Sequence, residues 1–396
     1  MKNKFLFLGI AAALFIACES DDTSDIVIND NSVTNNTTGG GEPPAETTID
    51  LNGLYLEDLT LDPAIEYIIT GPVLMASGTT LTIPAGMTIK AEPIGVNAYI
   101  AIQQGAKINA SGTSSSPIVL TSNASNPAGG DWGGLVLLGK APINSTPLAS
   151  ENIATSEVGA LAYGGNTPDD DSGTIEYMRI EYAGGAIDGN AELNGLSVYA
   201  VGSATTIDYV QVFEGSDDGF EFFGGTVNAS HLVVVNAEDD SIDWTEGYVG
   251  TLTDVYVQHG TTHDKGFECD GYNTDFSNES GEFSKPTVTN VTVIGANDAG
   301  EAIRLRAGTQ GLFTNVLIQD FDEAFDLDGD AGDNPTGQGV LDDNLMVTDV
   351  TFTNVVTKLK NDTTFIFTEA DFIAGDGNGT GTDIATWGAG WTVGIN

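Results

Sequence analysis

Between Ile207 and Asp330 a short apolar strand, an acidic bend and a second short strand recur about every 22 to 36 residues, which leaves few folds open to the chain. The second strands lie in Asp218-Gly219-Phe220-Glu221-Phe222, Asp240-Ser241-Ile242-Asp243-Trp244, Lys265-Gly266-Phe267-Glu268-Cys269, Glu301-Ala302-Ile303-Arg304-Leu305 and Glu323-Ala324-Phe325-Asp326-Leu327. A unit this short cannot bury its own apolar side, so copies must stack, and stacked rungs of parallel strand make a solenoid. The first strands carry apolar pairs two residues apart: Met178/Ile180, Val210/Val212, Leu232/Val234, Val255/Val257, Val291/Val293, Val316/Ile318 and Val350/Phe352. Side chains alternate faces along a strand, so each pair points into one core.

In the second strands Val198, Phe222, Trp244, Cys269, Leu305 and Leu327 form an inward column, and Gly202, Gly224, Gly247, Gly271, Gly308 and Gly329 close the units, where positive φ is expected. Shorter versions of the pattern at 81–89, 99–108, 117–122 and 131–139 read as further rungs. No stretch after residue 20 sustains a helical period, and 50 glycines argue against long helices. The expectation is an all-β chain, a single parallel β-helix of roughly ten to twelve rungs spaced about 4.8 Å apart, over residues 49–396. Trp387 and Trp391 are expected to cap the last rung, Tyr248, Tyr256 and Tyr272 to lie on loops or outward positions, and the insertion from Tyr272 to Ser284 to overhang the acidic face; a second insertion runs from Asp330 to Asp343.

On these strands and corners the chain resembles the right-handed, pectate-lyase-like β-helix proteins. The pieces Pro117-Ile118-Val119-Leu120-Thr121-Ser122 and Asp131-Trp132-Gly133-Gly134-Leu135 resemble in particular lipid-anchored β-helix proteins of Bacteroidetes-type bacteria. Residues 1–18 read as an export signal: Lys2 and Lys4 give the positive end, Phe5 to Ile16 an apolar run too short to remain in a bilayer, and Ala17-Cys18 the cleavage point. A small residue before Cys at this spacing resembles a lipobox. That resemblance implies that Cys18 is lipidated and anchors the chain to the bacterial outer membrane, although Phe15 stands where Leu is usual. Glu19-Ser20-Asp21-Asp22 resembles the acidic tether that sends such proteins to the cell surface. Residues 19–48 are too polar to fold and form a stalk. No transmembrane helix is expected in the mature chain. Cys269, in the inward column, is a small core residue with no disulfide partner once Cys18 carries lipid.

Against 57 Asp and Glu stand 12 Lys and Arg. Nucleic acid is excluded as a partner, since phosphate contacts need clustered basic side chains. Stacking places Asp217, Asp239, Asp264 and Asp322 in one column, Asp218, Asp240, Glu301 and Glu323 in the next, and Glu221, Asp243, Glu268 and Asp326 along the outward strand centres. Like charges one rung apart repel by about 1 kcal/mol in water and by several times that on a partly shielded face, so cations should collect there. Calcium suits such a ladder because it takes six to eight oxygens in flexible geometry; diffuse counterions are the alternative. Three histidines and one spare thiol do not make a zinc site.

The same units resemble, in order, the active-site motifs of polygalacturonase-type glycoside hydrolases, which place Asn-Thr-Asp, Asp-Asp, Gly-His-Gly and Arg-Ile-Lys on successive rungs. Here the counterparts are Ser216-Asp217-Asp218, Asp239-Asp240 and Arg304-Leu305-Arg306, while Lys265-Gly266 stands where His-Gly would be, with His259 and His263 nearby. The resemblance implies Asp218, Asp239 and Asp240 as acid and base, with Lys265, Arg304 and Arg306 as a clamp for a uronate carboxyl. A calcium-dependent lyase would use Arg304 or Lys265 as base. The structural alternative is that these three cations neutralise the ladder as rung-to-rung ion pairs. The functional expectation is therefore a non-enzymatic surface lipoprotein whose cation-loaded acidic face binds a glycan or a surface protein. The competing expectation is an enzyme that degrades uronic-acid glycans.

Overall fold

A computed structural model describes residues 47–146, 153–187, 192–296, 300–329 and 335–395. The signal segment, Cys18 and nearly all of the 19–48 stalk lie outside these residues. The chain forms a right-handed parallel β-helix. One stack runs through Thr48–Tyr55, Glu66–Met75, Thr88–Ala91, Ile118–Ser122, Gly173–Glu181, Thr206–Phe213, Ala229–Val235, Thr251–Gln258, Thr287–Ile294, Gly311–Leu327, Leu345–Asn361 and Ile373–Asp376, each strand pairing in parallel with the next. That series agrees with the rung number expected from the repeat. A second stack runs through Ile100–Ile102, Leu135–Leu138, Leu196–Tyr199, Phe220–Phe223, Ile242–Thr245, Phe267–Asp270 and Glu301–Arg306.

The inward columns hold as expected. Val198, Phe222, Trp244, Cys269, Leu305 and Leu327 pair in succession, and each is 0% exposed. The helices among the described residues are short turns: Thr336–Leu341, Glu369–Phe372 and Ile384–Trp387. None is long and apolar enough to cross a membrane.

Between the two halves of each first strand lies a feature the repeat did not announce. Tyr177, Tyr209, His231, Asp254, Asn290, Asn315 and Asp349 all adopt left-handed φ between 48° and 58°, and each is skipped in the strand register. Their side chains stack into a column. Tyr177 lies on Tyr209 at 4.2 Å between ring centroids, Tyr209 on His231 at 3.9 Å, and Asn315 donates to Asn290, which donates to Asp254. Left-handed φ costs about 1–2 kcal/mol for most residues. Asn and Asp reduce that cost with local hydrogen bonds, and the aromatic rings offset it by stacking.

Several expectations at the edges are corrected. Trp387 and Trp391 do not cap the last rung: the carboxyl-terminal segment runs back along the outside of the solenoid over the left-handed column. Trp391 stands edge-on to Tyr177 and Tyr209, its carbonyl accepts from Arg179, and Gln211 accepts from the Val393 N–H. Tyr248 is buried and donates to the Val227 carbonyl, and Tyr256 is buried beneath that segment, because both fill the space between packed layers rather than face water. Of the closing glycines, Gly224, Gly247 and Gly308 have positive φ. Gly202 and Gly271 are required instead for close approach, since a Cβ would lie 2.3 Å from the Asp170 nitrogen and 2.2 Å from the Ala307 oxygen. The 272–284 insertion is pinned to Asn144, whose carbonyl accepts from Glu279 and Ser280 and whose amide donates to Gly271 and Glu282.

Candidate functional site

The acidic corners occupy successive rungs in register. The Asp218 carboxylate accepts the main-chain N–H of Asp240 at 3.0 Å, and Asp240 in turn accepts that of Lys265 at 2.7 Å. Both aspartates are therefore corner caps, each holding the bend of the rung that follows, and they are only 7% and 4% exposed. In this column Lys265 stands between Asp240 and Glu301, as the alignment of the repeat units places it. Along the strand centres, Glu221 pairs with Asp243, Asp243 with Glu268, Glu268 with Arg304, and Arg304 with Asp326.

Charge divides this ladder into two parts. In the lower part four cations pair with most of the acids. Lys265 Nζ lies 2.5 Å from Asp264, 2.9 Å from Glu268 and 3.6 Å from Asp240. Arg306 binds Asp270 and Glu268, Arg304 grips Glu301 through two bonds of 2.7 Å, and Lys360 meets Glu323 and Asp326. In the upper part, Asp217, Asp218, Glu221, Asp239 and Asp243 have no salt bridge among the described residues. Carboxylate oxygens of Asp218, Glu221 and Asp243 lie within 4.8 Å of one another, as do those of Asp217, Asp218 and Asp239, of Asp239, Asp240 and Asp264, and of Asp240, Asp243 and Glu268. Asp322 joins no such group, because Gly300 interrupts its column and its side chain is exposed. The Asp243 Oδ1 is buried with no hydrogen-bond partner, and so is the Oγ1 of Thr245 two residues along the same strand.

Burial and mutual repulsion act on these acids together. Desolvation first, then neighbouring carboxylates, push the Asp217 carboxyl up to about 8 and hold those of Asp218, Asp240 and Asp243 well above the usual range. Glu221 is raised likewise, by burial and by Glu157, against the lowering effect of the Asn194 amide that donates to it at 2.7 Å.

Residues absent from the sequence reading complete the surroundings. Glu157 and Tyr163 come from a hairpin of Ala154–Thr155 with Ala162–Tyr163 that sits on Tyr199 and Phe223. Tyr199 donates to Glu157 at 3.1 Å, and Tyr163 donates to the buried Glu246 at 3.0 Å. Burial pushes the Glu246 carboxyl up to about 7, against the lowering effect of the hydrogen bonds from Tyr163, Ser145 and Asn273. Alternation along 242–246 was the only local signal for it.

In the rung order that the hydrolase resemblance implies, Arg304 lies two rungs below Asp240, about 10 Å along the stack, and it is committed to Glu301. Lys265 and Arg306 are likewise held by acids of the chain itself. The pectate-lyase-like β-helix domain matches residues 53–392. This chain belongs to that family. No curated protein sequence matches this β-helix. Among solved structures it is similar to the catalytic domain of a GH87 α-1,3-glucanase in complex with nigerose, with 11% identity and a TM-score of 0.33, covering 84% of this chain and 64% of that one. A variant of that domain with nigerose matches at 12% identity and a TM-score of 0.30 over the same shares. The β-helix thus spans less than two thirds of the length of those domains.

Proposed function

We propose that the chain is a lipid-anchored surface β-helix that binds a calcium-type divalent cation at Asp218, Glu221 and Asp243 and uses the loaded face to hold a glycan or protein partner without catalysing its cleavage. The observation that carries this reading is the split ladder. Lys265, Arg304, Arg306 and Lys360 neutralise most of the lower acids, while the upper acids crowd together uncompensated around a buried Asp243 oxygen with no hydrogen-bond partner among the described residues. A hard cation supplies the missing charge, and carboxylates at this spacing are its ordinary ligands. Asp217 and Asp239 form the more open continuation of the site towards solvent.

The hydrolase reading retains one supporting observation, since a carboxyl raised to about 8, as at Asp217, keeps the proton a general acid must deliver. It lacks the clamp, because Lys265, Arg304 and Arg306 are occupied by Glu268, Glu301 and Asp270. Calorimetric titration of the chelator-treated protein should show saturable calcium binding. At a hundred times the Kd, calcium should stabilise by about 2.7 kcal/mol. Asp243→Asn should weaken binding at least about tenfold. Release of reducing ends from polygalacturonate or α-glucan that Asp240→Asn abolishes would establish the enzyme instead, and heat curves unchanged by chelator would remove the cation.

A further inference from the structure

A cavity of about 460 Å³ opens where the second strands end, beyond the acidic ladder, between the 142–144 turn and the 272–284 insertion. Ile143, Val249 and Phe283 give it an apolar wall, and Lys285 and Gln310 stand at its polar side. Val249, 49% exposed, presents its side chain at the wall of this cavity. Lys285 stands apart from most other cations of the chain. The described residues hold 12 − 2 = 10 Lys and Arg, since Lys2 and Lys4 lie outside them, amid a large excess of carboxylates. Most of these cations are ion-paired. Among the described residues Lys285 has no carboxylate partner, and its Nζ donates to the Asn344 side-chain oxygen at 2.5 Å. The Gln310 amide makes no side-chain hydrogen bond among the described residues. An ammonium that avoids the surrounding acids and stands beside an apolar wall defines a ligand with two ends, one anionic and one greasy.

We propose that this cavity binds a small organic anion, a carboxylate carried on an aryl or alkyl body, with the carboxylate on Lys285 and Gln310 and the body against Ile143, Val249 and Phe283. The site is separate from the acidic ladder, and it carries a cation that the upper ladder lacks. Glu282, the acid at the rim, is exposed, so its repulsion of the ligand is screened by water.

The test is ligand-observed NMR on the full chain with a panel of aryl and alkyl carboxylates, each measured beside its primary amide. The expected result is saturable binding of at least one carboxylate, about tenfold tighter than its amide, because a charge-assisted hydrogen bond is replaced by a neutral one. Lys285→Met, which keeps the aliphatic stem, should remove that preference. Val249→Asp, at a position already half exposed, should weaken carboxylate binding about tenfold with the melting temperature unchanged. The proposal is overturned if no carboxylate in the panel saturates, if amides bind as well as carboxylates, or if Lys285→Met binds like the unaltered chain. Calcium should not alter the affinity; a ligand that binds only with calcium would belong to the acidic ladder.

Discussion

Lys265→Met is expected to destabilise the protein by about 3–5 kcal/mol at pH 8, the cost of leaving buried acids without their cation. Methionine preserves the length and apolar stem of the side chain, so the loss reports charge rather than packing. The lysine side chain is 7% exposed and touches Asp240, Asp264 and Glu268. Burial alone would lower its pKa, but Asp240 and Glu268 outweigh burial and hold it above the ordinary lysine value. Glu268 retains Arg306 after the substitution, and Asp264 can face water, so the cost falls on Asp240, which is 4% exposed. Denaturant unfolding at pH 8 and pH 5 separates the causes. At pH 5 Asp240 can take up a proton, and the difference between variant and parent should shrink to about 1 kcal/mol. A loss equally large at both pH values would mean that the lysine acts through packing.

The sequence made the β-helix legible because both inward columns are written in apolar residues two apart, and the same alternation placed Glu221, Asp243, Glu268 and Asp326 outward in register. It also identified Lys265, Arg304 and Arg306 as candidates for ladder neutralisation, which is where the structure places them. Two features were hidden for different reasons. The left-handed corners are suggested by Asp254, Asn290, Asn315 and Asp349, but Tyr177, Tyr209 and His231 share that conformation only because rings stack between rungs, a non-local effect. The position of the carboxyl-terminal segment follows from which surface Trp391 buries, and no periodicity in Gly375–Asn378 or beyond encodes that surface. In the corner column the repeat already set Lys265 between Asp240 and Glu301, and in the structure that cation divides the ladder.

Without divalent cation the protein should be more stable at pH 5 than at pH 8, the reverse of the usual behaviour of salt-bridged carboxylates. A carboxyl whose pKa is raised by folding binds its proton more tightly in the native state, so between the unfolded and folded values the native chain carries more protons and stability falls as pH rises. For Glu246, 1% exposed and raised from 4.5 to about 7, the window runs from about pH 4.5 to pH 7 and the effect is about 3 kcal/mol. Asp217, raised to about 8, extends the decline into the alkaline range, and Asp218, Glu221 and Asp243 act in the same direction. These acids are coupled, so their effects do not add, but the sign is common to all. Calcium separates the two groups. An ion among Asp218, Glu221 and Asp243 stabilises their ionised forms, and their share of the pH dependence should vanish in millimolar calcium. Glu246 binds Tyr163 instead of the ladder, so its share should persist in calcium and disappear in Glu246→Gln, whose amide can still accept the tyrosine proton. Thermal unfolding of parent and variant at pH 5, 6.5 and 8, with calcium and with chelator, measures both shares. If stability in chelator rises from pH 5 to pH 8, the upper ladder is not a set of crowded, desolvated acids and has no need of a cation.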